Sequence, residues 1–536
     1  MLKYFILLFI LIFTACESTN SIHHLPSVEG DIVDTKSWYN DATTNILEMN
    51  VQLLTPNTSL CAEYNDTGGV LRPCTLNDVN HDTDILDNYV PILDVKMSAD
   101  DFVLSNELSN ATLKIRGDYS RTLEQKSYAI KLNSKTELFE SQRKFQLNKH
   151  QSDRSRVKNK LAFDLFRTIP NITSIKTQFV HLKIDDVDYG LFTHAEAMRE
   201  EFLVNRGWNE DDNLYNAVGC FFEVRDELAV DSKGNPLNAE LFDTILEIKN
   251  GKDHAKVAQL MKEINSDTDI DLVIQKYFNR QNYITWMAIN LILSDKDTTY
   301  HNFYLYNPVY SDLFYFLPWD YDGAWATQNF LGKSEYGISV WWESILHKKF
   351  LTKKKNRDDV YAMADEIRAK YITDEKITAL TDSYRDVVKP YIKQLPDSAN
   401  NSEASWNEAT KALASDIDKN IALYKSVIGH PMPFREFAIY ENGVLTLSWE
   451  ASIDLEEDLI VYDVNLSSDI NFTNIIFSAK DVSGTSLEQN IELQKGIYYL
   501  KVISKEKQDN THYQIAFDQI EQEGIVHYGV LEFEVK

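Results

Sequence analysis

The chain has 536 residues, 43% of them hydrophobic and 25% charged, which leaves room for roughly two to four globular domains and excludes a disordered chain, a collagen-like fibre and a disulfide-dense miniprotein. Its 54 Lys and Arg residues stand against 82 Asp and Glu residues, for a formal net charge of −28. A field of that sign repels phosphate backbones, so we expect no nucleic-acid partner.

The N-terminus has the features of an export signal. Lys3 precedes the unbroken apolar run Phe5–Phe13, which is far shorter than the ~20 residues of a membrane span. The small residues Thr14 and Ala15 follow the run and directly precede Cys16. This pattern resembles a bacterial lipoprotein signal, in which residues 1–15 are removed and Cys16 is lipidated; an ordinary cleaved secretory signal is the alternative. We therefore expect an extracytoplasmic protein, lipid-anchored to a bacterial membrane, which is the outer membrane if the host has one.

The next segment, 16–90, is predicted to be a tether followed by loop-rich chain. Cys61 and Cys74 lie thirteen positions apart, which predicts a local disulfide in an oxidising compartment, whereas Cys220 has apolar neighbours and is predicted to be a buried, inert thiol. The run Asp78–Asp84 carries oxygen ligands at alternating positions, as calcium loops do, but it lacks their glycine and closing Glu. A solvated acidic turn is the better interpretation.

Residues 91–430 have the alternation of strand and helix patterns that predicts an α+β domain. Strands are predicted at Ala111–Ile115, Ser127–Leu132, Phe303–Tyr306 and Phe314–Leu317, with a hairpin over Phe179–Thr193. Helices are predicted at Val157–Phe166, Leu272–Leu293, Tyr361–Ile392 and Trp406–Ile428.

The segment His430–Pro433 marks a domain boundary. Beyond it, residues 434–536 show successive strand patterns at Leu445–Trp449, Ile460–Val464 and Ile497–Val502, which predicts an all-β sandwich. A Trp in an early strand and a Tyr-rich late strand resemble a fibronectin type III module.

The candidate catalytic residues lie in one stretch before the helical half of the domain. Asp297 stands five residues before Asn302, and Asp320 and Asp322 follow two short strands later; Asp295 is the fallback for Asp297 but lacks that spacing. Phosphoryl transfer needs an Asp to orient or deprotonate the attacking hydroxyl, and an Asn and an Asp to hold magnesium on the phosphates. Protein kinases space such residues in the same way, across a hairpin. The alternative is that these acids are turn and capping residues.

A cluster of cations lies upstream of these acids. Arg116, Arg121, Lys126 and Lys131 fall within sixteen residues, on a predicted strand, a Gly/Ser turn and a second strand that ends in Ala-Ile-Lys. Kinases present their phosphate-binding lysine from a strand of that kind. In so acidic a chain, a hairpin that covers phosphates would explain the cluster, and a solvated edge hairpin is the alternative.

Together these motifs resemble the spore coat protein H (CotH) kinase family, over about residues 92 to 428. The segments that carry the resemblance are Arg116–Arg121, Lys126–Leu132, the hairpin Tyr189–Phe192 with Glu196 behind it, Asp297–Tyr306 and Pro318–Asp322. The resemblance implies an atypical protein-kinase-like fold with a C-terminal helical extension. It also implies ATP and Mg²⁺ or Mn²⁺ as cofactors, and a secreted or surface protein as acceptor.

The resemblance also assigns roles to particular residues. Asp297 would be the catalytic Asp, and the metal ligands would be Asn302, Asp320 and Asp322. Lys131 would bind the nucleotide phosphates, with Arg116 and Lys126 as neighbours. The helix Val157–Phe166 offers only Asp164 as an acid to pair with Lys131.

Two functions from different classes are open at this point. One is an extracytoplasmic metal-dependent kinase that transfers the γ-phosphoryl group of ATP to a hydroxyl, of Ser or Thr, in a secreted or surface protein. The other is a non-catalytic surface lipoprotein, a pseudokinase, that binds a protein or a cell-wall glycan. Retention of Asp297, Asn302 and Asp320 favours the kinase, because a binding module does not need all three, whereas the scarcity of ATP outside the cytoplasm favours the second.

Overall fold

The computed structural model describes residues 44–65, 68–84, 90–100, 102, 109–325, 333–334 and 337–536. The predicted signal peptide 1–15 and the predicted lipidation site Cys16 lie outside the described residues. Within these ranges, no helix has both the length and the apolar character needed to cross a membrane.

The N-terminal part is built on a closed barrel of seven strands. In chain order its elements are β1 (Ile46–Leu53), β2 (Leu60–Asn65), β3 (Gly68–Pro73), α1 (Leu76–Asn80), β4 (Ile92–Ala99), β5 (Ala111–Ile115), α2 (Tyr119–Thr122), β6 (Tyr128–Leu132), β7 (Lys144–Asn148), α3 (Lys158–Phe166), β8 (Thr177–Ile184), β9 (Val187–Glu196) and α4 (Glu200–Asn205). The barrel order is β1-β4-β5-β6-β7-β9-β8, and the parallel pairing of β1 with β8 closes it. The remaining pairings are antiparallel.

The barrel interior is filled by every second side chain of its strands, as the two-residue period of a strand requires. The inward positions are fully buried and apolar, among them Met49, Val95, Leu113, Ile130, Leu147 and Leu182. Side chains of β1 alternate between buried and exposed positions in the same way. The segment 16–90, predicted to be a tether followed by loop-rich chain, therefore also supplies a strand of the barrel. β2 and β3 pair as a hairpin, and the Cys61–Cys74 disulfide is present as predicted.

Two acids of the run Asp78–Asp84, Asp78 and Asp82, form ion pairs with arginines. Arg72 donates two hydrogen bonds of 2.7 Å to Asp78, whose carboxylate also caps the start of α1. Asp82 pairs at 2.6 Å with Arg121, and both side chains are largely buried. These two acids therefore form neither a calcium loop nor a solvated turn. Arg121 has a structural role as the partner of Asp82.

The central part places an antiparallel sheet among helices. Its elements are β10 (Asn213–Ala217), α5 (Ala239–Asp243), β11 (Leu246–Asn250), α6 (Ala255–Asn265), α7 (Ile270–Tyr277), α8 (Arg280–Leu293), β12 (Phe303–Asn307), β13 (Tyr315–Pro318), α9 (Ile345–Thr352), α10 (Lys354–Lys370), α11 (Asp374–Ile392) and α12 (Glu403–Ser426). The sheet order is β11-β10-β12-β13. α8 is buried along nearly its whole length and packs against β13, α10 and α12. The mixed α and β content agrees with the predicted class.

Two helices predicted as continuous are each interrupted by a capping residue. The predicted helix Leu272–Leu293 breaks between α7 and α8, where the Asn279 side chain accepts a hydrogen bond from the Asn282 N–H. The predicted helix Tyr361–Ile392 breaks between α10 and α11, where Thr373 caps the second helix in the same way. Side chains of this type satisfy the free N–H groups of a first turn, so they favour a new helix start over continuation.

The C-terminal part is all β, as predicted. Its strands are β14 (Glu436–Glu441), β15 (Val444–Trp449), β16 (Ile460–Ser467), β17 (Ile475–Val482), β18 (Ser486–Asn490), β19 (Gly496–Glu506), β20 (Tyr513–Ile515), β21 (Gln519–Gln522), β22 (Ile525–Tyr528) and β23 (Leu531–Val535). One sheet has the order β14-β15-β18, the other has the order β17-β16-β19-β20 with β23 also paired to β19, and β21 and β22 form a separate hairpin. The finer assignment to the fibronectin type III type stays a prediction.

Candidate active site

The β12–β13 hairpin brings two of the predicted site residues to one edge of the central sheet. Phe303 at the start of β12 pairs with Pro318 at the end of β13. Asn302 directly precedes the first strand and Asp320 lies just beyond the second, so both leave the sheet at the same end. Both have left-handed backbones, with φ of 57° and 61°. Non-glycine residues adopt such conformations rarely, and they concentrate at functional sites.

A second acidic loop packs against this edge. Asp297 follows α8, and its Oδ2 would lie 3.2 Å from a Cβ atom at Gly323, with Asp295 Oδ1 at 4.0 Å from the same point. A side chain at position 323 would therefore crowd the Asp297 carboxylate. The structure thus brings the predicted catalytic Asp beside the turn that carries Asp320 and Asp322.

The turn after β13 is anchored by a buried tyrosine. Tyr321 is fully buried; its N–H donates to Asn159 Oδ1 at 3.0 Å and its hydroxyl donates to Asn290 Oδ1 at 2.7 Å. Asn159 belongs to α3 and Asn290 to α8, so two helices hold the turn in place. These two asparagines were missed in the sequence, where nothing distinguishes them from other helical polar residues.

The carboxylates of the site repel one another. Burial, and next the charge of Asp322, raise the pKa of Asp320 to about 7, while Arg116 and His150 act in the opposite direction. Asp295 is fully buried, and burial together with the Asp297 and Asp322 carboxylates raises its pKa well above the usual range. The environment of Asp295 therefore favours its protonated form, whereas Asp297 is exposed to solvent.

The residues present fit a divalent cation whose coordination is completed by oxygens of a bound ligand. Among the residues that the structure describes, no group of three or more His, Cys, Asp or Glu side chains is placed to hold a metal by itself. Mg²⁺ is usually held by one or two carboxylates together with substrate phosphates, and the facing Asp297 and Asp320–Asp322 loops offer that donor set. The buried Asp295 Oδ2 has no hydrogen-bond partner in the described part of the chain, which leaves one oxygen of the acidic group unsatisfied.

His150 connects the barrel to the acidic turn. It lies two residues beyond β7, its side chain is 3% exposed, and its Nδ1 is 3.3 Å from Asp322 Oδ2. Burial raises the pKa of Asp322, but the hydrogen bond and charge of His150, with Arg116 and Lys158, outweigh it and lower that pKa overall. His150 was not singled out in the sequence, because it is separated from Asp322 by 172 residues.

The predicted phosphate-binding cations occupy three different environments. Arg116 follows β5, is half-buried, and faces Asp320 and Asp322, whose charges oppose the lowering of its pKa by burial. Lys126 donates a hydrogen bond of 2.7 Å to the carbonyl of Arg121. Lys131 is exposed on the outer face of the barrel.

A further group of cations surrounds Lys144, a residue that the motifs did not single out. Lys144 pairs across β6 and β7 with Lys131, so both project from the same outer face of the barrel. Burial is the largest cause that lowers the pKa of Lys144 to about 7, followed by repulsion from Arg199, Lys249, Arg116 and Lys114. Lys249 comes from β11, where it also pairs with Glu247, and Arg199 directly precedes α4, so cations from separate elements converge around Lys144. Such a convergence in a chain of net charge −28 favours an anionic ligand.

Asp164 does not pair with Lys131. It lies 3.0 Å from Lys160 one turn earlier in α3, with both side chains at most 2% exposed, and it accepts a hydrogen bond from the Tyr384 hydroxyl. This acid therefore serves the packing of α3 against α11. Glu196 has a comparable role, because it forms a buried bidentate pair with Arg206.

Known proteins match the part of the chain that carries this site. A family model described as CotH kinase protein matches residues 113–423. The inner spore coat protein H of Bacillus subtilis (strain 168) is 28% identical over 219 residues, 39% of this chain and 58% of that protein, so the chain spans less than two thirds of this relative. The solved structure of the Helicobacter pylori proinflammatory kinase CtkA matches at 10% identity over 59% of this chain and 90% of that chain, with a TM-score of 0.21 that supports no argument about fold.

Proposed function

The chain belongs to the CotH kinase protein family, whose model matches more than half of its residues, and from this premise we propose that it transfers the γ-phosphoryl group of ATP to a hydroxyl of Ser or Thr in a secreted or surface protein. The observation that carries the proposal is the contact of the Asp297 loop with the Asp320–Asp322 turn, facing Arg116, which is itself one of the cations around Lys144. Phosphoryl transfer depends mainly on positioning and charge stabilisation, and acids opposite cations supply both.

Asp297 is the residue that handles the acceptor in this proposal. Its carboxylate is exposed at the loop after α8, where it accepts the proton of the attacking hydroxyl. The hydroxyl oxygen forms a bond to the γ-phosphorus, the bond from that phosphorus to the bridging oxygen breaks, and ADP leaves. Asp295 is a positioning residue: its Oδ1 accepts a hydrogen bond of 3.2 Å from the Asp297 N–H.

The remaining residues hold the nucleotide. Asn302, Asp320 and Asp322 would hold Mg²⁺ or Mn²⁺, and the metal when bound neutralises phosphate charge and helps to orient the transferred group. Arg116 and Lys144 attract the phosphates in this proposal, and we keep Lys126 and Lys131 as candidates on the strength of the family resemblance. Charges that are partly buried, as Arg116 is, act more strongly than charges in bulk solvent.

We further propose that the protein acts outside the cytoplasm, anchored by lipid at Cys16. The motif before Cys16 supports this location, and so does the Cys61–Cys74 disulfide, since such bonds persist in oxidising compartments. Cys16→Ser should move the protein from the membrane fraction to the soluble fraction. A variant that still partitions with membranes would contradict the lipid anchor.

The experiment that tests the activity is direct. The purified protein is incubated with γ-labelled ATP, Mg²⁺ or Mn²⁺, and a panel of secreted proteins, and label on Ser or Thr is identified by mass spectrometry. Transfer that requires the metal and is lost in Asp297→Ala supports the proposal. Absence of transfer to any acceptor or to the protein itself, with intact folding, would favour a non-catalytic surface lipoprotein instead.

A further inference from the structure

A cleft lies on the outer face of the five-stranded C-terminal sheet, far along the chain from the acidic loops. On β19, Leu500 and Val502 point into the sandwich core, so Lys501 between them points outward, beside its cross-strand partner Asn465 on β16. The loop between β16 and β17 and the hairpin β21–β22 flank this outer face. They leave a cleft of about 500 Å³, lined by Asn465, Ile470, Asn471, Phe472, Ile475, Lys501, His527, Tyr528 and Val530. Ligand sites have volumes of about 300–1,000 Å³.

The loop that forms one wall of the cleft is rigidly built. The carboxylate of Asp469 accepts hydrogen bonds from the backbone N–H groups of Asn471, Thr473 and Asn474, at 3.1, 3.2 and 2.6 Å. Phe472 at the tip has a left-handed backbone with φ of 56°, which is unusual for a bulky residue. The loop therefore presents an aromatic ring to the cleft in a fixed position.

The charge of the cleft has the opposite sign from that of the chain. None of the nine lining residues is Asp or Glu, although the chain has 82 of them, and Lys501 and His527 are both present. Lys501 is half-buried, and burial lowers its pKa while the charge of Glu436 acts in the opposite direction. It makes no hydrogen bond or ion pair with the residues that the structure describes. A third basic group, Lys333, lies at the rim, with its Nζ 5.2 Å from the centroid of the Tyr528 ring.

We propose that this cleft binds an acidic glycan, an oligosaccharide that carries carboxylate or sulfate groups. Aromatic rings such as Phe472 and Tyr528 pack against the apolar faces of sugar rings, and the side-chain amides of Asn465 and Asn471 donate and accept hydrogen bonds as hydroxyl groups require. The ammonium of Lys501, which forms no ion pair in the described part of the chain, binds the acidic substituent. A peptide is a poorer fit, because peptides commonly add to a free strand edge, and this cleft lies on a sheet face.

This site does not depend on the proposed kinase activity, so it can be tested alone. The purified protein is titrated by calorimetry with oligogalacturonate, with a sulfated galactan oligosaccharide, with a neutral cello-oligosaccharide of matched length, and with an acidic peptide of Asp and Glu. We expect binding of at least one acidic oligosaccharide. The carboxylate and sulfate arms then distinguish the two sources of charge.

Variants locate the binding. Lys501→Met and Tyr528→Leu should each weaken the affinity for the acidic oligosaccharide at least about tenfold. The first variant loses a charge-assisted hydrogen bond, and the second loses an aromatic packing surface. The matched control is Lys505→Met, which removes the same charge from the same strand at a residue paired with Asp463 and Asp481 outside the cleft. Selective loss in the first two variants supports the proposal. No binding, equal binding of the neutral oligosaccharide, tighter binding of the acidic peptide, or equal loss in Lys505→Met would overturn it.

Discussion

Lys149 Nζ lies 2.9 Å from Asp397 Oδ1, and the two side chains are only 2% and 1% exposed. Lys149 directly follows β7 of the barrel, whereas Asp397 begins a short 3₁₀ helix between α11 and α12. The next residue, His150, contacts Asp322 of the acidic turn. The end of β7 therefore connects the barrel both to the helical extension and to the candidate active site.

Asp397→Ala should destabilise the protein strongly. The change leaves Lys149 buried without its counter-ion, leaves Arg156 without the carboxylate 3.7 Å away, and removes the acceptor of the Leu191 N–H. Breaking a buried pair by removing one partner costs about 3–5 kcal/mol. The free energy of unfolding, from urea titration at pH 7, measures the loss.

The matched control for this variant is Asp382→Ala. Asp382 pairs with Arg385 on the surface of α11, where the two side chains are 51% and 44% exposed. A surface pair contributes at most about 1 kcal/mol, so this variant should unfold nearly as the parent does. Similar losses in both variants would show that the Lys149–Asp397 pair does not hold the two parts together.

The strands of the fold could be predicted where local alternation was strong, but their pairing could not. The predicted strand Ala111–Ile115 coincides with β5, because its buried and polar residues alternate without interruption. The parallel pairing that closes the barrel joins Ile46 to Phe179, and no local pattern specifies a contact over that distance. The helix breaks lie at Asn279 and Thr373, residue types that favour the start of a helix, so the sequence carries a local signal for both breaks.

The acidic half of the site could be predicted and most of the cationic half could not. The spacing from Asp297 to Asn302 and the hairpin that leads to Asp320 are local in sequence, so a motif captures them. The group around Lys144 comes from several separate elements, and only the fold brings them together. The sequence did hold one signal, since Lys144 starts a run of alternating residues that places it on the polar face of its strand.

Loss of the Cys61–Cys74 disulfide should lower stability. The bond closes a loop of residues separated by 13 positions, across the β2–β3 hairpin. The cross-link lowers the conformational entropy of the unfolded chain, which stabilises the fold by about 3 kcal/mol in the chain-entropy account. The double variant Cys61→Ala/Cys74→Ala should unfold at correspondingly lower urea concentration. Dithiothreitol should shift the parent toward the variant and leave the variant unchanged, whereas a parent insensitive to reductant would contradict this account.

Nucleotide binding should be accompanied by the uptake of a proton by the amine of Lys144. The pKa of Lys144 is about 7 in the free protein, so at pH 8 most molecules carry it neutral. A bound triphosphate favours the charged form, raises this pKa, and draws a proton from the buffer. Calorimetry of ATP binding at pH 8, in two buffers that differ in ionisation enthalpy, measures the number of protons taken up.

Lys144→Met should remove that proton uptake and weaken the affinity for ATP about ten- to a hundredfold, because a charge-assisted hydrogen bond is lost. Lys131→Met is the matched comparison, since Lys131 is the exposed cross-strand neighbour on the same face. If Lys131 carries the phosphates, as the family resemblance implies, this variant loses affinity and Lys144→Met does not. Unchanged proton uptake in Lys144→Met would rule out Lys144 as a phosphate contact.

Asp320→Ala and Asp297→Ala should fail in different ways. If Asp320 holds the metal on the phosphates, its loss abolishes metal-dependent nucleotide binding together with transfer. Asp297 is exposed and handles only the acceptor hydroxyl, so its loss should leave nucleotide affinity intact and slow transfer by about 10²–10⁴-fold. Asp226→Ala, in an exposed turn, controls for the loss of an acidic charge, and circular dichroism checks the fold of all three variants. Parental transfer rates in both site variants would mean that the two acidic loops are structural, and the activity proposed for this chain would fall with them.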